Sequence, residues 1–109
     1  MANNYKNAKV DLTGTGVTVL YTTPSATTTL IKSLLVSEDS GNADTITVTI
    51  TDAAASPAVF SLFKVKAVGA NATVELLTQP LVVQEDEIIK VTAATGNRLH
   101  VVASLLEIT

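Results

Sequence analysis

No cysteine occurs in the 109 residues, so neither a disulfide framework nor a thiolate metal site supports this chain. Tryptophan is absent too, and aromatic residues make up 4%, namely Tyr5, Tyr21, Phe60 and Phe63. Sites that process or bind sugars commonly stack rings on aromatic faces, so a glycosidase or a lectin finds little support. The only histidine, His100, has no cysteine to activate, and no G-x-S-x-G elbow accompanies it. Charged residues are scarce at 16%, yet no apolar run approaches the roughly 18 residues of a membrane helix. Net charge is −3 and the pI is near 4.9, which argues against a nucleic-acid backbone as partner. The opening MANNYKNAKVDL has no apolar core, so synthesis and use without Sec export are expected.

What is present is β-forming. Hydrophobic residues make up 47%, mostly Val, Ile, Leu and Ala, with abundant Thr, and the mean hydropathy is +0.40. Val, Ile and Thr are β-branched and fit a pleated surface. The length suits one domain, which would bury roughly two-thirds of its unfolded surface.

Strand-like runs follow one another between turn signals. They cover residues 17–22, 29–37, 45–51, 58–68, 73–78, 81–84, 88–94 and 99–108. Breaks fall at Thr13-Gly14-Thr15-Gly16, Pro24, Glu38-Asp39-Ser40-Gly41-Asn42, the small-residue stretch 52–57, Gly69-Ala70-Asn71, Pro80, Glu85-Asp86 and Thr95-Gly96-Asn97. In 45–51, Ile46, Val48 and Ile50 alternate with Thr45, Thr47, Thr49 and Thr51, the pattern of a half-buried strand with a threonine-coated outer face. The expectation is an all-β fold, an antiparallel β-sandwich of jelly-roll type with about eight strands over 10–109. Residues 1–9, polar and Asn-rich, are expected to form a short extended arm outside it.

Apolar doublets recur: Leu34-Leu35, Leu76-Leu77, Val82-Val83, Ile88-Ile89, Val101-Val102 and Leu105-Leu106. Neighbouring strand residues point to opposite faces, so each doublet sends one large apolar side chain away from the core. A bulge or a covering loop explains single cases. The set as a whole predicts outer faces covered by further copies or a partner. Candidate interface residues are Tyr5, Lys6, Leu34, Phe60, Leu62, Ile88, Val102 and Leu106. Phe60 and Phe63, on one strand, are expected to point to opposite faces, with at least one in the core.

The remaining motifs have plainer readings. His100, inside a strand, reads as a structural or interface residue. Glu85-Asp86-Glu87, and Glu38-Asp39 with Asp44, lack the alternate-position spacing of a calcium loop and read as solvated turns. Thr13-Gly14-Thr15-Gly16 lacks the third glycine and following helix of a dinucleotide fingerprint. Neither a cofactor, a metal nor a catalytic residue is expected.

Residues 20–38, LYTTPSATTTLIKSLLVSE, followed by GNADTITVTIT over 41–51, resemble a segment of small tailed-phage structural proteins. There a Y-T-x-P-x-x-T turn leads into an apolar strand, a Ser/Asn/Gly turn and a Thr/Val strand. RLHVVASLLEIT over 98–109 resembles the closing strand of the same group. The resemblance implies a non-enzymatic virion component on the capsid surface, first of all a capsid decoration (cement) protein. Its partner would be the major capsid protein or another virion protein, and the chain would be a homo-oligomer, with a trimer expected. A tail, neck or fibre-anchoring component is the alternative, with a carbohydrate-binding module behind it. Neither nucleic acid nor membrane is an expected partner.

Overall fold

The computed structural model describes residues 3–52 and 58–109. Nine strands follow in order: β1 (Asn3–Leu12), β2 (Thr18–Thr22), β3 (Thr28–Glu38), β4 (Asp44–Asp52), β5 (Ala58–Val68), β6 (Thr73–Glu75), β7 (Leu81–Val83), β8 (Glu87–Ala93) and β9 (Leu99–Ile108). No helix occurs among the described residues. Most of the expected small-residue loop, 53–57, lies outside them, as do the first two residues of the expected arm.

The strands pair in nested fashion. β4 pairs with β5, β3 with both β6 and β7, β2 with β8, and β1 with β9, all antiparallel. Pairing of β9 with β3 and of β8 with β4 then joins these hairpins into two sheets, β1-β9-β3-β6/β7 and β2-β8-β4-β5. With β6 and β7 counted as halves of one interrupted strand, this is an eight-stranded jelly roll.

The core lies between the sheets. Leu12, Ile31, Leu34, Val36, Leu99, Val101 and Leu105 come from the first sheet, and Ile46, Val48, Val68, Ile89 and Val91 from the second. Each such side chain contributes about 1.5–3 kcal/mol by leaving water. The threonine alternation holds as far as Thr49: Ile46 and Val48 are fully buried and Thr45, Thr47 and Thr49 half-buried on the opposite face, but beyond it Ile50 is only half-buried and Thr51 is buried.

The expected arm is corrected. Residues 3–9 are not outside the sandwich but form most of β1, paired with β9 along its whole length. The physical reason lies at Lys6. Its core-side position is polar, yet its ammonium reaches the Glu107 carboxylate of β9 at 2.9 Å, so a polar sequence closes the sheet edge.

Three turns are fixed by single residues. The Glu38 carboxylate accepts the backbone N–H groups of Ser40, Gly41, Asn42 and Asn71 at 2.8–3.1 Å, and the Ser40 hydroxyl. Burial works against its ionisation, but these hydrogen bonds outweigh it and hold its pKa down at about 2. Glu87 accepts the Gln84 N–H at 2.6 Å and closes the β7–β8 turn. Gly96 packs so close to the β1–β2 connection that a Cβ there would lie 2.5 Å from the Thr13 carbonyl oxygen.

Candidate interaction surface

The two outer faces differ in chemistry. Along β9, Leu99, Val101, Ala103, Leu105 and Glu107 are buried, so His100, Val102, Ser104, Leu106 and Ile108 point outward. Register carries this assignment across the sheet. Tyr5 of β1, Leu106 of β9, Leu30 of β3 and Val82 of β7 are cross-strand neighbours on the outer face. They form an apolar row running across the sheet, perpendicular to its strands. A parallel row reads Lys9, Val102, Leu35 and Glu75. Between them lie Asn7, Ser104 and Ser33, and beyond them Asp11, His100, Ser37 and Thr73. Tyr5 is 75% exposed, Val82 51%, and Val102 and Leu35 37% each.

Position on the same face brings long side chains together. β3 carries a bulge between Ile31 and Ser33, which adds Lys32 to the outer face. The Lys32 ammonium sits 5.6 Å from the centre of the Tyr5 ring, a cation–π contact. Beneath this pair lies an open depression of about 340 Å³ lined by Tyr5, Lys6, Asn7, Lys32, Ser104 and Leu105. It is a shallow dish in a sheet surface rather than a cleft that would enclose a small molecule.

The bulge has a fixed anchor. Between β6 and β7 the chain leaves the edge of β3, and the Glu75 carboxylate takes over there. It accepts the N–H groups of Leu34 at 2.7 Å and Leu77 at 3.2 Å, and the Ser33 hydroxyl. Burial raises its pKa, but these donors prevail and lower it, so the carboxylate is held ionised at the rim of the face.

The outer face of the other sheet has fewer apolar positions in its rows, although Val19 and Val59 are exposed on it. Val19, Lys90, Thr49 and Ser61 make one row, and Thr22, Ile88, Thr51 and Val59 the next. Ile88 is half-buried there, opposite Thr51.

The sequence-predicted interface residues therefore separate. Tyr5, Val102 and Leu106 come together on the outer face of the first sheet. Ile88 lies on the opposite sheet. Leu34 is corrected: it is fully buried, and its doublet partner Leu35 points outward instead. The Lys32 bulge shifts the alternation by one residue, which strand parity alone does not reveal. Lys6 faces the core side and pairs with Glu107. Leu62 packs partly against the core at an irregularity of β5. That irregularity also corrects the phenylalanines: Phe60 pairs with Ile50 and Phe63 with Val48, so both share the inner side of their sheet. Phe63 packs on the core, while Phe60 stays 56% exposed. The residues that the sequence reading missed are Leu30, Leu35, Val82, Lys9, Lys32 and Glu75.

His100 lies at the end of the same face. Its Nε2 is 3.2 Å from Asp11 Oδ1 and its Nδ1 3.5 Å from Asp39 Oδ2. Both ring nitrogens thus face carboxylates, an arrangement that fixes the ring between β1, β9 and the turn after β3. Among the described residues, no group of three His, Asp or Glu side chains is placed to hold a metal ion.

No protein-family model matches the chain, and no curated protein matches it in sequence.

Proposed function

We propose that this chain is a non-enzymatic structural protein of a tailed-phage virion, a capsid decoration protein whose first-sheet outer face is covered in the assembled state. The single observation that carries the reading is the apolar row Tyr5, Leu106, Leu30 and Val82, spanning the sheet from edge to edge beside Val102 and Leu35. Soluble monomers seldom leave contiguous apolar area of this kind facing water. The resemblance over 20–51 and 98–109 supplies the virion setting. The work done would be thermodynamic. A protein that binds the assembled shell and not its free subunits stabilises the shell by mass action. Repetition over a symmetric surface multiplies modest contacts into avidity.

The experiment is a quantitative peptide count of the chain in purified particles, with particle heat resistance measured before and after its removal. Copies on the scale of the shell's own subunits, with resistance lost on removal and restored on re-addition, support a decoration role. A handful of copies supports the tail, neck or fibre-anchor reading. Absence from the particle overturns both.

A further inference from the structure

We infer that the outer face of the first sheet is a self-complementary dimer surface, covered by the same face of a second copy about a two-fold axis parallel to the strands between β9 and β3. This rests on reading that face as an assembly surface, and it names the occupant.

Register and charge together favour this pairing. A two-fold axis along the strands lays β1 of one copy over β6 and β7 of the other, and β9 over β3. The apolar row then meets itself reversed: Tyr5 opposes Val82 and Leu106 opposes Leu30, each contact made twice. The second row does the same. Val102 opposes Leu35 at the centre, and Lys9 at one edge opposes Glu75 at the other. The row reads cation, apolar, apolar, anion, an order that reversal turns into two ion pairs. Lys9 is exposed and has no carboxylate partner among the described residues. Glu75 is exposed and held in place by the Leu34 and Leu77 N–H groups on Oε2 and the Ser33 hydroxyl on Oε1, so Oε1 keeps one lone pair to accept a lysine.

Other arrangements fit less well. A two-fold axis across the strands stacks the two apolar rows on each other. It sets Val82 against Glu75 and leaves both charges without an opposite. A closed trimer uses heterologous contacts, so it cannot bury one flat face reciprocally. The resemblance alone implies three copies, whereas two copies satisfy the Lys9 and Glu75 charges, with the Lys32 ammonium remaining on its own Tyr5 ring.

Size is consistent with a reversible pair. Four strands at ~4.8 Å spacing and about nine residues at ~3.4 Å give on the order of 600 Å² per face. Two faces bury roughly 1,200 Å², the lower edge of a standard specific interface. Area sets no more than a range of affinities, so the concentration series starts from low micromolar.

The test is light scattering coupled to size exclusion over a concentration series rising from low micromolar. The mass should climb from one copy to two and stop. Lys9→Glu and Glu75→Lys, each alone, set like charges against each other and should raise the Kd at least about tenfold. Mixed in equal amounts, the two variants should pair with each other at near the parent affinity, because each substituted position then meets an opposite charge. Glu75 also anchors the β3 bulge, so Glu75→Lys is checked for folding by circular dichroism. Should it fail, Val102→Asp tests the centre of the face and should abolish pairing. Ile88→Lys, on the other sheet, should leave it unchanged. A parent chain that stays monomeric throughout, a mass that stops at three copies, or a folded variant pair that does not recover on mixing overturns the dimer. None of these touches the virion reading, which the particle count decides separately.

Discussion

The Tyr21 hydroxyl on β2 donates to the Glu107 carboxylate on β9 at 2.5 Å, linking the two sheets through the interior. The same hydroxyl lies 2.8 Å from the Thr29 hydroxyl of β3, and Glu107 also holds Lys6 of β1. Tyr21 of β2 and Lys6 of β1 thus both contact a β9 carboxylate that is only 5% exposed, and Thr29 of β3 joins through the Tyr21 hydroxyl. A buried carboxylate is costly unless its lone pairs are filled, and here they are filled from both sheets. Hydrogen bonds from Tyr21 and Lys6 lower the Glu107 pKa despite its burial.

Tyr21→Phe should therefore cost about 1–2 kcal/mol, since it removes one hydrogen bond to a charged acceptor and keeps the ring. Urea denaturation of parent and variant measures it. The same contact has an alkaline signature. Burial first, then the hydrogen bond to Glu107, pushes the Tyr21 pKa up to about 12. A raised folded-state value means stability fully present below the ordinary pKa of 10.0 and lost as pH rises towards 12. Phenolate absorbance of a Tyr5→Phe chain isolates Tyr21, and its ionisation should coincide with unfolding. An ordinary titration of Tyr21 in a folded chain would refute the network.

The acid limb should be governed by Glu38. Its pKa falls from 4.5 to about 2 on folding, so its contribution is fully present above the unfolded value and lost as pH drops through that window. Glu75 and Glu107 are lowered too and act in the same direction. Glu38→Gln should lower the melting temperature by several degrees at neutral pH and flatten its dependence between about pH 5 and 2. Parallel melting curves for parent and variant across that range would mean that the turn clamp is not the titrating element.

How much of this could be read from the sequence depends on where local pattern suffices. Strands β3, β4, β5, β8 and β9 announce themselves through β-branched alternation between turn residues, and their bounds fall within one residue of expectation. β1 does not, because its core-side positions Asn4 and Lys6 are polar and only Ala8, Val10 and Leu12 keep the two-residue period. Its partner for Lys6 is Glu107, at the far end of the chain, and no local window contains both. The outer-face row was legible in part: Tyr5 and Leu106 stood among the candidates, while Leu30 and Val82 did not. Lys32 and Leu62 each insert a bulge, and one bulge reverses the facing of everything beyond it, as at Leu34 and Phe60. The opposition of Lys9 and Glu75 appears only when strand order is known.

Removal of β1 tests the correction to the N-terminal segment. Deleting residues 1–9 strips β9 of its outer neighbour and leaves Glu107 without Lys6. The melting temperature should fall by roughly 10 °C or more, or the chain should aggregate through the bared edge. An unchanged melting temperature would return the segment to the status of an arm.

Val65 offers a gain instead of a loss. It sits in the β5 irregularity with φ of 53°, in the left-handed region that β-branched residues avoid. Its N–H donates to the Thr47 hydroxyl at 3.1 Å, which holds the backbone there. At 60% exposure its side chain contributes little burial to offset the strain. Left-handed conformation costs an ordinary residue roughly 1–2 kcal/mol, and glycine escapes that cost but loses up to about 1 kcal/mol in unfolded-state entropy. Asparagine tolerates the region without the full entropic loss. Val65→Asn should thus stabilise the fold by about 0.5–1 kcal/mol and Val65→Gly by less, both read from denaturation midpoints. Thr47→Ala, which removes the hydroxyl that anchors the turn, should shift the midpoint the other way. If both Val65 variants lose stability, the side chain is packed against something in the assembled or free chain that outweighs its strain.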